Sequence, residues 1–265
     1  MKYFKAGKQN KIPKWAQYVI AALVLLGIWV ILTIAVNNSL LLPSPVQTLQ
    51  ALISLAGEAE FWQSIGMSFL RVILGFVLGC IAGVVLATAG YYVNLLDCVI
   101  RPTMTLLKSV PVASFIMLVI LLFKRDVLPV FVCFVMVTPI VWSGVSLALD
   151  SLPEQYLELV HAYKLPRGKR ITRLYIPWVM PYLAEACVTA LGFAWKSGIA
   201  AEVLCQPSLA IGTGIYESKI YLEPASLFAW TATVVIFSLI LEKLLKASLS
   251  RIRDRREYGN KKTDG

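Results

Sequence analysis

The run from Trp15 to Val36 carries no charged residue. A helix of about 20 apolar residues crosses the ~30 Å hydrocarbon core of a bilayer, so this one stretch moves the chain out of the ordinary soluble classes. A signal peptide has an apolar core of only about 7–15 residues with small residues at its cleavage site. Here the run is longer and Asn37-Asn38-Ser39 follows it, so an uncleaved anchor is expected. The sequon in that triplet lies against the membrane and is read as chance. Five further apolar runs follow, near 66–89, 95–123, 127–149, 178–205 and 226–246. Counted from 15–36 as the first, the third run, 95–123, is interrupted by Lys108-Ser109-Val110-Pro111. A proline inside a span frees a carbonyl and kinks the helix, so one broken span is expected there. The fourth run contains Pro139.

Composition agrees. Of 265 residues 58% are hydrophobic and 15% charged, with a mean hydropathy of +0.73. Soluble domains run near 45–50% apolar and about 25% charged. An ordinary soluble enzyme and intrinsic disorder are excluded. The apolar stretches are continuous rather than alternating, which argues against a transmembrane barrel. The expectation is an all-α integral membrane protein of about six helices. It comprises a basic segment 1–14, a single transmembrane domain 15–247 and a charged tail 248–265.

The net charge of +10 sits in blocks beside the apolar runs. One comprises Lys2, Lys5, Lys8, Lys11 and Lys14; another Lys164, Arg167, Lys169, Arg170 and Arg173; the last runs from Lys243 to Lys262. Such placement fits orientation by the positive-inside rule better than a nucleic-acid surface. Both termini and residues 150–177 are expected in the cytoplasm. Residues 37–65, with Glu58 and Glu60, and the loop 206–225, with Gly212, Gly214, Glu217, Lys219 and Glu223, are expected outside. Pro43-Ser44-Pro45 should break the chain before a short amphipathic helix, VQTLQALISLAG.

No reaction site stands out. There is no GxSxG, HExxH or paired-carboxylate motif, and no GxxxxGK[ST] loop for ATP. Five widely spaced cysteines without a CxxC, and the single His161, offer no metal cluster. The expectation is therefore no catalytic residue, no metal and no cofactor on this chain. The small residues of Trp142-Ser143-Gly144-Val145-Ser146 suit helix packing. Four charges fall inside predicted spans: Arg71, Glu185, Lys196 and Glu202. Intramembrane charge faces a bundle interior or an aqueous path, or snorkels from a helix end; for Arg71 and Glu185 both readings stand. Glu202 is roughly 120° around the helix from Lys196 at 100° per residue, so each is expected to pair with another helix or a second copy rather than with the other.

The 150–177 segment is the longest polar stretch inside the membrane region. Ser151-Leu152-Pro153-Glu154 reads as a capping box. A helix through Gln155–Lys164 should follow, closed by Leu165-Pro166. Tyr156, Leu159, Val160 and Tyr163 recur at i, i+3, i+4 and i+7 and form one face. A docking knob for a soluble partner and a solvated re-entry loop are both compatible with this pattern.

That segment resembles the cytoplasmic EAA loop of permeases from binding-protein-dependent ABC importers. Glu158-Leu159-Val160 stands at the Glu-Ala-Ala element, Lys164 at the glycine and Ile176-Pro177 at the closing hydrophobic-Pro pair. Leu42-Pro43-Ser44-Pro45, Ser68-Phe69-Leu70-Arg71-Val72 and Gly75-Phe76 resemble the nitrate/sulfonate/taurine-type branch. Arg101-Pro102 leading to Val110-Pro111-Val112-Ala113, and Gly192-Phe193-Ala194-Trp195-Lys196 leading to Ala200-Ala201-Glu202, do so too. The resemblance implies a type I importer permease in a bacterial-type cytoplasmic membrane, working by alternating access. Its partners would be ABC ATPase subunits that hold ATP and Mg, a second permease copy (identical or sister), an extracytoplasmic substrate-binding protein and membrane lipid. Ser151, Glu154, Tyr156, Glu158, Leu159, Tyr163 and Lys164 would couple to the ATPase. Arg71, Ser109, Pro111, Lys196 and Glu202 would line the pathway. The related branch carries small anions and also heterocyclic vitamin precursors; Lys196 favours an anion and Glu202 opposes one. An ATP-independent secondary transporter or channel-like pore remains the alternative, with a membrane-embedded enzyme third.

Overall fold

The computed structural model describes residues 13–164 and 166–261. Lys2, Lys5, Lys8 and Lys11, the helix-closing Leu165, and Lys262 lie outside the described residues. Among the described residues there is no strand. The helices are α1 (Lys14–Val36), α2 (Pro45–Ala56), α3 (Ala59–Tyr92), α4 (Asn94–Ser109), α5 (Val112–Val119), α6 (Leu128–Asp150), α7 (Glu154–Ala162), α8 (Arg167–Arg170), α9 (Ile176–Cys205), α10 (Ile211–Ile220) and α11 (Pro224–Lys261). A wide turn of helix, Ile171–Tyr175, joins α8 to α9.

Five helices are long and apolar enough to cross a membrane, and α4 with α5 makes a sixth if the bent pair counts as one span. The bend is 102°. Its cause is local. Val110 and Pro111 both hold extended backbone, with ψ of 126° and 125°. The ring of a proline disfavours the helical region for the residue before it, and here Val110 leaves that region.

α6 is the centre of the bundle. Its long buried face includes Val132, Cys133, Val137, Val141, Trp142 and Val145. Against it α3 presents Gly75, Gly79, Gly83 and Ala87, one per turn, all buried. A methyl group on Gly79 would sit 2.7 Å from Cβ of Val137, and one on Gly83 2.8 Å from Cβ of Val141. Small residues at this spacing let two membrane helices approach backbone to backbone. Gly144 plays the same part between α6 and α9, where Ala186 faces it, so the expected packing role of that small-residue cluster is met. Trp195 of α9 is 1% exposed, and its indole N–H donates to the Val234 carbonyl of α11 at 3.0 Å.

α1 stands off this core. The spanning window of α1 has no buried residue. In its second half the Trp29 indole N–H donates to the Pro43 carbonyl at 3.1 Å, and the ring stacks on Phe228. α2 starts with a reciprocal cap: Gln47 N–H donates to Ser44 Oγ at 3.2 Å, and Ser44 N–H to Gln47 Oε1 at 2.9 Å. That pair satisfies two donors that a helix start leaves open.

The region 206–225, expected as an outer loop, instead holds a helix, α10, over half its length. Its glycines mark contact rather than flexibility. A Cβ on Gly212 would overlap the Glu202 backbone and side chain, and one on Gly214 the Trp230 ring. Glycine signals both turns and close approach, and composition alone does not separate them.

Candidate functional site

Three groups of polar side chains interrupt the apolar bundle. The first is centred on the buried pair Arg71 and Glu202 and reaches the surface at Asp126. Arg71 leaves α3 with its side chain 5% exposed. Its Nη1 donates to the Leu209 carbonyl at 3.0 Å, and its Nη2 to the Ser208 carbonyl at 2.8 Å and Asp126 Oδ1 at 3.0 Å. Glu202 of α9 is 0% exposed and places Oε1 3.6 Å from Arg71 Nη1. Its Oε2 accepts the Ser68 hydroxyl at 2.7 Å and the Gly212 N–H at 3.3 Å, while Ser68 Oγ accepts the Ile211 N–H at 2.9 Å. Gln206 and Leu209 hold left-handed backbone, φ 50° and 49°, and the turn they frame brings two carbonyls onto the guanidinium. An unpaired charge at such depth is costly; here Glu202 Oε2 is hydrogen-bonded, while Oε1 has no hydrogen bond and is compensated by the Arg71 guanidinium at 3.6 Å. The cluster joins α3, α9, the start of α10 and the turn before α6.

Arg71 and Glu202 thus stand where no surface of this chain is open, although both were expected along a pathway. Glu202 pairs with another helix, as one of its two alternatives had it, and Arg71 does not snorkel.

The second group lies on exposed faces at membrane depth. On α9 the exposed residues Pro181, Glu185, Thr189, Phe193, Lys196 and Ala200 follow one helical stripe. At the α4–α5 bend Ser109 and Pro111 are exposed. Beside them Lys108 places its ammonium 5.8 Å from the ring centre of Trp142 on α6. Sequence reasoning took Lys108 only as an interruption of an apolar run. A charge next to a proline break was the signal that could have marked it.

The third group is the segment after α6. The expected capping box does not form. The Ser151 hydroxyl donates back to the Ala148 carbonyl at 3.1 Å, and Ser151 N–H to the Leu147 carbonyl. Ser151 therefore closes α6, and α7 begins at Glu154. Serine hydroxyls commonly bond to a carbonyl one turn back, and that bond competes with the cap. On α7 Tyr156 and Leu159 are 45% and 51% exposed, and Tyr163, in the turn just after it, is 75% exposed, whereas Val160 is 6% exposed. The predicted apolar face is therefore split, Val160 being buried and the other three exposed. Glu154 and Glu158 are exposed. Lys164 adopts φ 48°, the left-handed region that glycine enters without steric cost, at the position where the resembled loop carries glycine. Trp178 closes the segment: its N–H donates to the Ala148 carbonyl at 2.8 Å and its ring lies 6.0 Å from that of Tyr156. On the same side of the bundle Arg101 pairs with Asp97 at 2.9 Å and Asp150 at 3.3 Å.

Residues 75–254 match the family of binding-protein-dependent transport system inner membrane components. The chain belongs to this family. It is the permease subunit of a binding-protein-dependent ABC importer, a multi-pass inner-membrane protein, and the ATP-independent alternative falls away. The chain is 25% identical over 231 residues to a probable ABC transporter permease of Brucella melitensis, covering 86% of this chain and 92% of the relative. It is 26% identical over 212 residues to the nitrate import permease of Leptolyngbya laminosa, 75% of this chain and 74% of that one. With the taurine transport permease of Escherichia coli K12 it shares 21% over 233 residues, 84% and 83% of the two chains. Two solved inward-facing structures of the MetNI methionine ABC transporter match with TM-scores of 0.52 and 0.53 at 20% and 18% identity, each covering 72% of this chain and 91% of theirs. These last two show the fold alone, that of a type I ABC importer permease. The permease family implies ATPase and substrate-binding-protein partners.

Proposed function

We propose that this permease forms one half of a translocation pathway for a small solute handed over by an extracytoplasmic binding protein, and that residues 150–177 transmit the stroke of a separate ATPase. The observation that carries the reading is the short helix α7. It follows a spanning helix, exposes Tyr156, Leu159 and, just past its end, Tyr163, and is tied back by Trp178, whose N–H bonds the last turn of α6 and whose ring lies beside Tyr156. Exposed aromatic and aliphatic anchors on a rigid stub fit a groove on a soluble subunit. Ser151, Glu154, Glu158 and Lys164 flank them. ATP and Mg would be bound by that subunit, and no cofactor by this chain. Purified without partners, the permease should hydrolyse no ATP, and turnover should appear on adding the ATPase subunit. Robust hydrolysis by a preparation shown to hold this chain alone overturns the reading.

Ser109, Pro111 and Lys196 line the pathway in this proposal. A lysine at the centre of a lipid-facing helix costs about 2.5–3.5 kcal/mol on insertion scales, so the polar faces of α4 and α9 suit water or a second permease copy better than lipid. Lipid covers α1. Arg71 and Glu202 act as a brace that fixes α9 against α3. The nitrate and taurine names of relatives support a small solute.

The orientation puts both termini and 150–177 in the cytoplasm, with 37–65 and 206–225 outside; residues 15–247 form one domain, with 1–14 and 248–265 as cytoplasmic extensions. With Glu58 and Arg170 each replaced by cysteine, an impermeant thiol reagent on intact cells should label position 58 and spare position 170. Equal labelling at both positions breaks this topology.

A further inference from the structure

We propose that Lys108, seated on Trp142 at the bend between α4 and α5, is the cation by which the pathway selects an anionic solute. This rests on the reading that Ser109 and Pro111 line the pathway.

Depth comes first. Trp142 lies eight residues before the end of α6 at Asp150, which at 1.5 Å per residue is about 12 Å inside the helix end. Lys108 packs on that ring, so its charge stands within the hydrocarbon thickness rather than among headgroups. An ionisable side chain at such depth serves a partner or a pathway.

Its partners come next. Arg71 and Arg101 each hold carboxylates within 3.6 Å. Among the described residues Lys108 has no carboxylate within salt-bridge distance, and the same holds for Lys196. What holds Lys108 is an aromatic face. The ring quadrupole attracts a cation without neutralising it, so the charge remains available to a passing ion. The Trp142 indole N–H is itself buried without an acceptor. That donor is closed off from the surface, so what the seat presents outward is the cation, with no carboxylate of the described residues in salt-bridge reach.

The structure also removes the objection from Glu202. That carboxylate is enclosed and bonded to Ser68, Gly212 and Arg71, so it cannot face a solute. Asp126, Asp97 and Asp150 are each paired with an arginine. Of the membrane-depth charges that sequence reasoning weighed, Glu185 alone remains an exposed carboxylate. It lies on α9 nine residues from the start of that helix. Its neighbour Ala186 packs on Gly144 of α6, two residues from Trp142, so Glu185 shares the depth of the seat; the exposed charge at the bend itself, Lys108, and the exposed charge in the second half of α9, Lys196, are both positive.

The experiment uses the assembled importer in lipid nanodiscs, with the exposed native thiol Cys98 replaced by serine and Ser109→Cys as reporter. Two methanethiosulfonates of similar size are the probes, one ending in a sulfonate and one in a trimethylammonium. Their rate ratio cancels any change in thiol ionisation. The sulfonate-to-ammonium ratio should fall about fivefold or more on adding Lys108→Gln, as a unit charge at adjacent-residue range does in water, and Lys108→Arg should keep it. Reaction with both probes at a ratio indifferent to Lys108→Gln overturns anion selection while leaving the pathway intact. Reaction with neither, in a complex that still hydrolyses ATP, places the bend against lipid; Lys108 would then meet headgroup phosphate, and the pathway reading falls with the proposal.

Discussion

Arg71→Ala should be among the most destabilising single substitutions in this permease, costing about 3–5 kcal/mol, the usual penalty for stripping one partner from a buried ion pair. The side chain that remains, Glu202, is 0% exposed and loses its counter-charge. The same change removes the bonds to the Ser208 and Leu209 carbonyls and to Asp126, which is 62% exposed and keeps water as a partner. Glu202→Gln should cost less, about 1–3 kcal/mol. Its amide oxygen can still accept from Ser68 and Gly212, while Arg71 keeps Asp126 and two carbonyls. Combining Arg71→Ala with Glu202→Gln should recover part of the Arg71→Ala loss, because no naked charge remains. Thermal unfolding of the assembled complex, with the yield of inserted permease as a second readout, ranks the three. Wild-type stability for Arg71→Ala would mean that Glu202 finds solvation elsewhere, and the brace would lose its meaning.

How far the sequence could show this follows from the range of each interaction. Spans are legible because hydrocarbon thickness demands an unbroken apolar run, and α1, α3 and α6 fall where the runs lie. The α4–α5 bend is legible because proline acts on its own neighbour. The brace is not, since Ser68 and Glu202 are 134 residues apart and each reads locally as one polar residue in a span. Short-range signals fail where they have rivals. Ser151 had both a cap to make and a carbonyl one turn back, and the carbonyl won. Ser44, three residues before Gln47, had the cap alone, yet the prolines beside it drew the eye to a chain break. Periodicity showed that Tyr156, Leu159, Val160 and Tyr163 share a face, but not which edge of a broad face meets the bundle; Val160 went in and the others stayed out. The Gly75–Gly79–Gly83 repeat was readable from spacing and was passed over, since an apolar run long enough to span already accounted for that stretch.

The split face of α7 sharpens what mutation there should do. Tyr163→Ala with Leu159→Ala removes two exposed anchors that touch nothing the permease needs for its own fold. If each is an interface hot spot, its truncation costs about 2 kcal/mol. At tenfold per 1.4 kcal/mol, the pair should weaken ATPase association by roughly two to three orders of magnitude while the permease inserts normally. Val160→Ala should do the reverse. It trims a side chain that is 6% exposed, so it should lower stability by about 1 kcal/mol or more and leave association near wild type once the protein is folded. Glu158→Ala leaves both the anchors and the core in place; its expected effect is a loss of transport-coupled hydrolysis that exceeds any loss of expression. Copurification of the ATPase subunit and ATP turnover in reconstituted membranes read all of these. Wild-type association and coupling in the Tyr163/Leu159 double variant would reduce α7 to a solvated connector. Loss of association in the Val160 variant, at normal stability, would mean that α7 swings out to bind and that the face seen here is its undocked form.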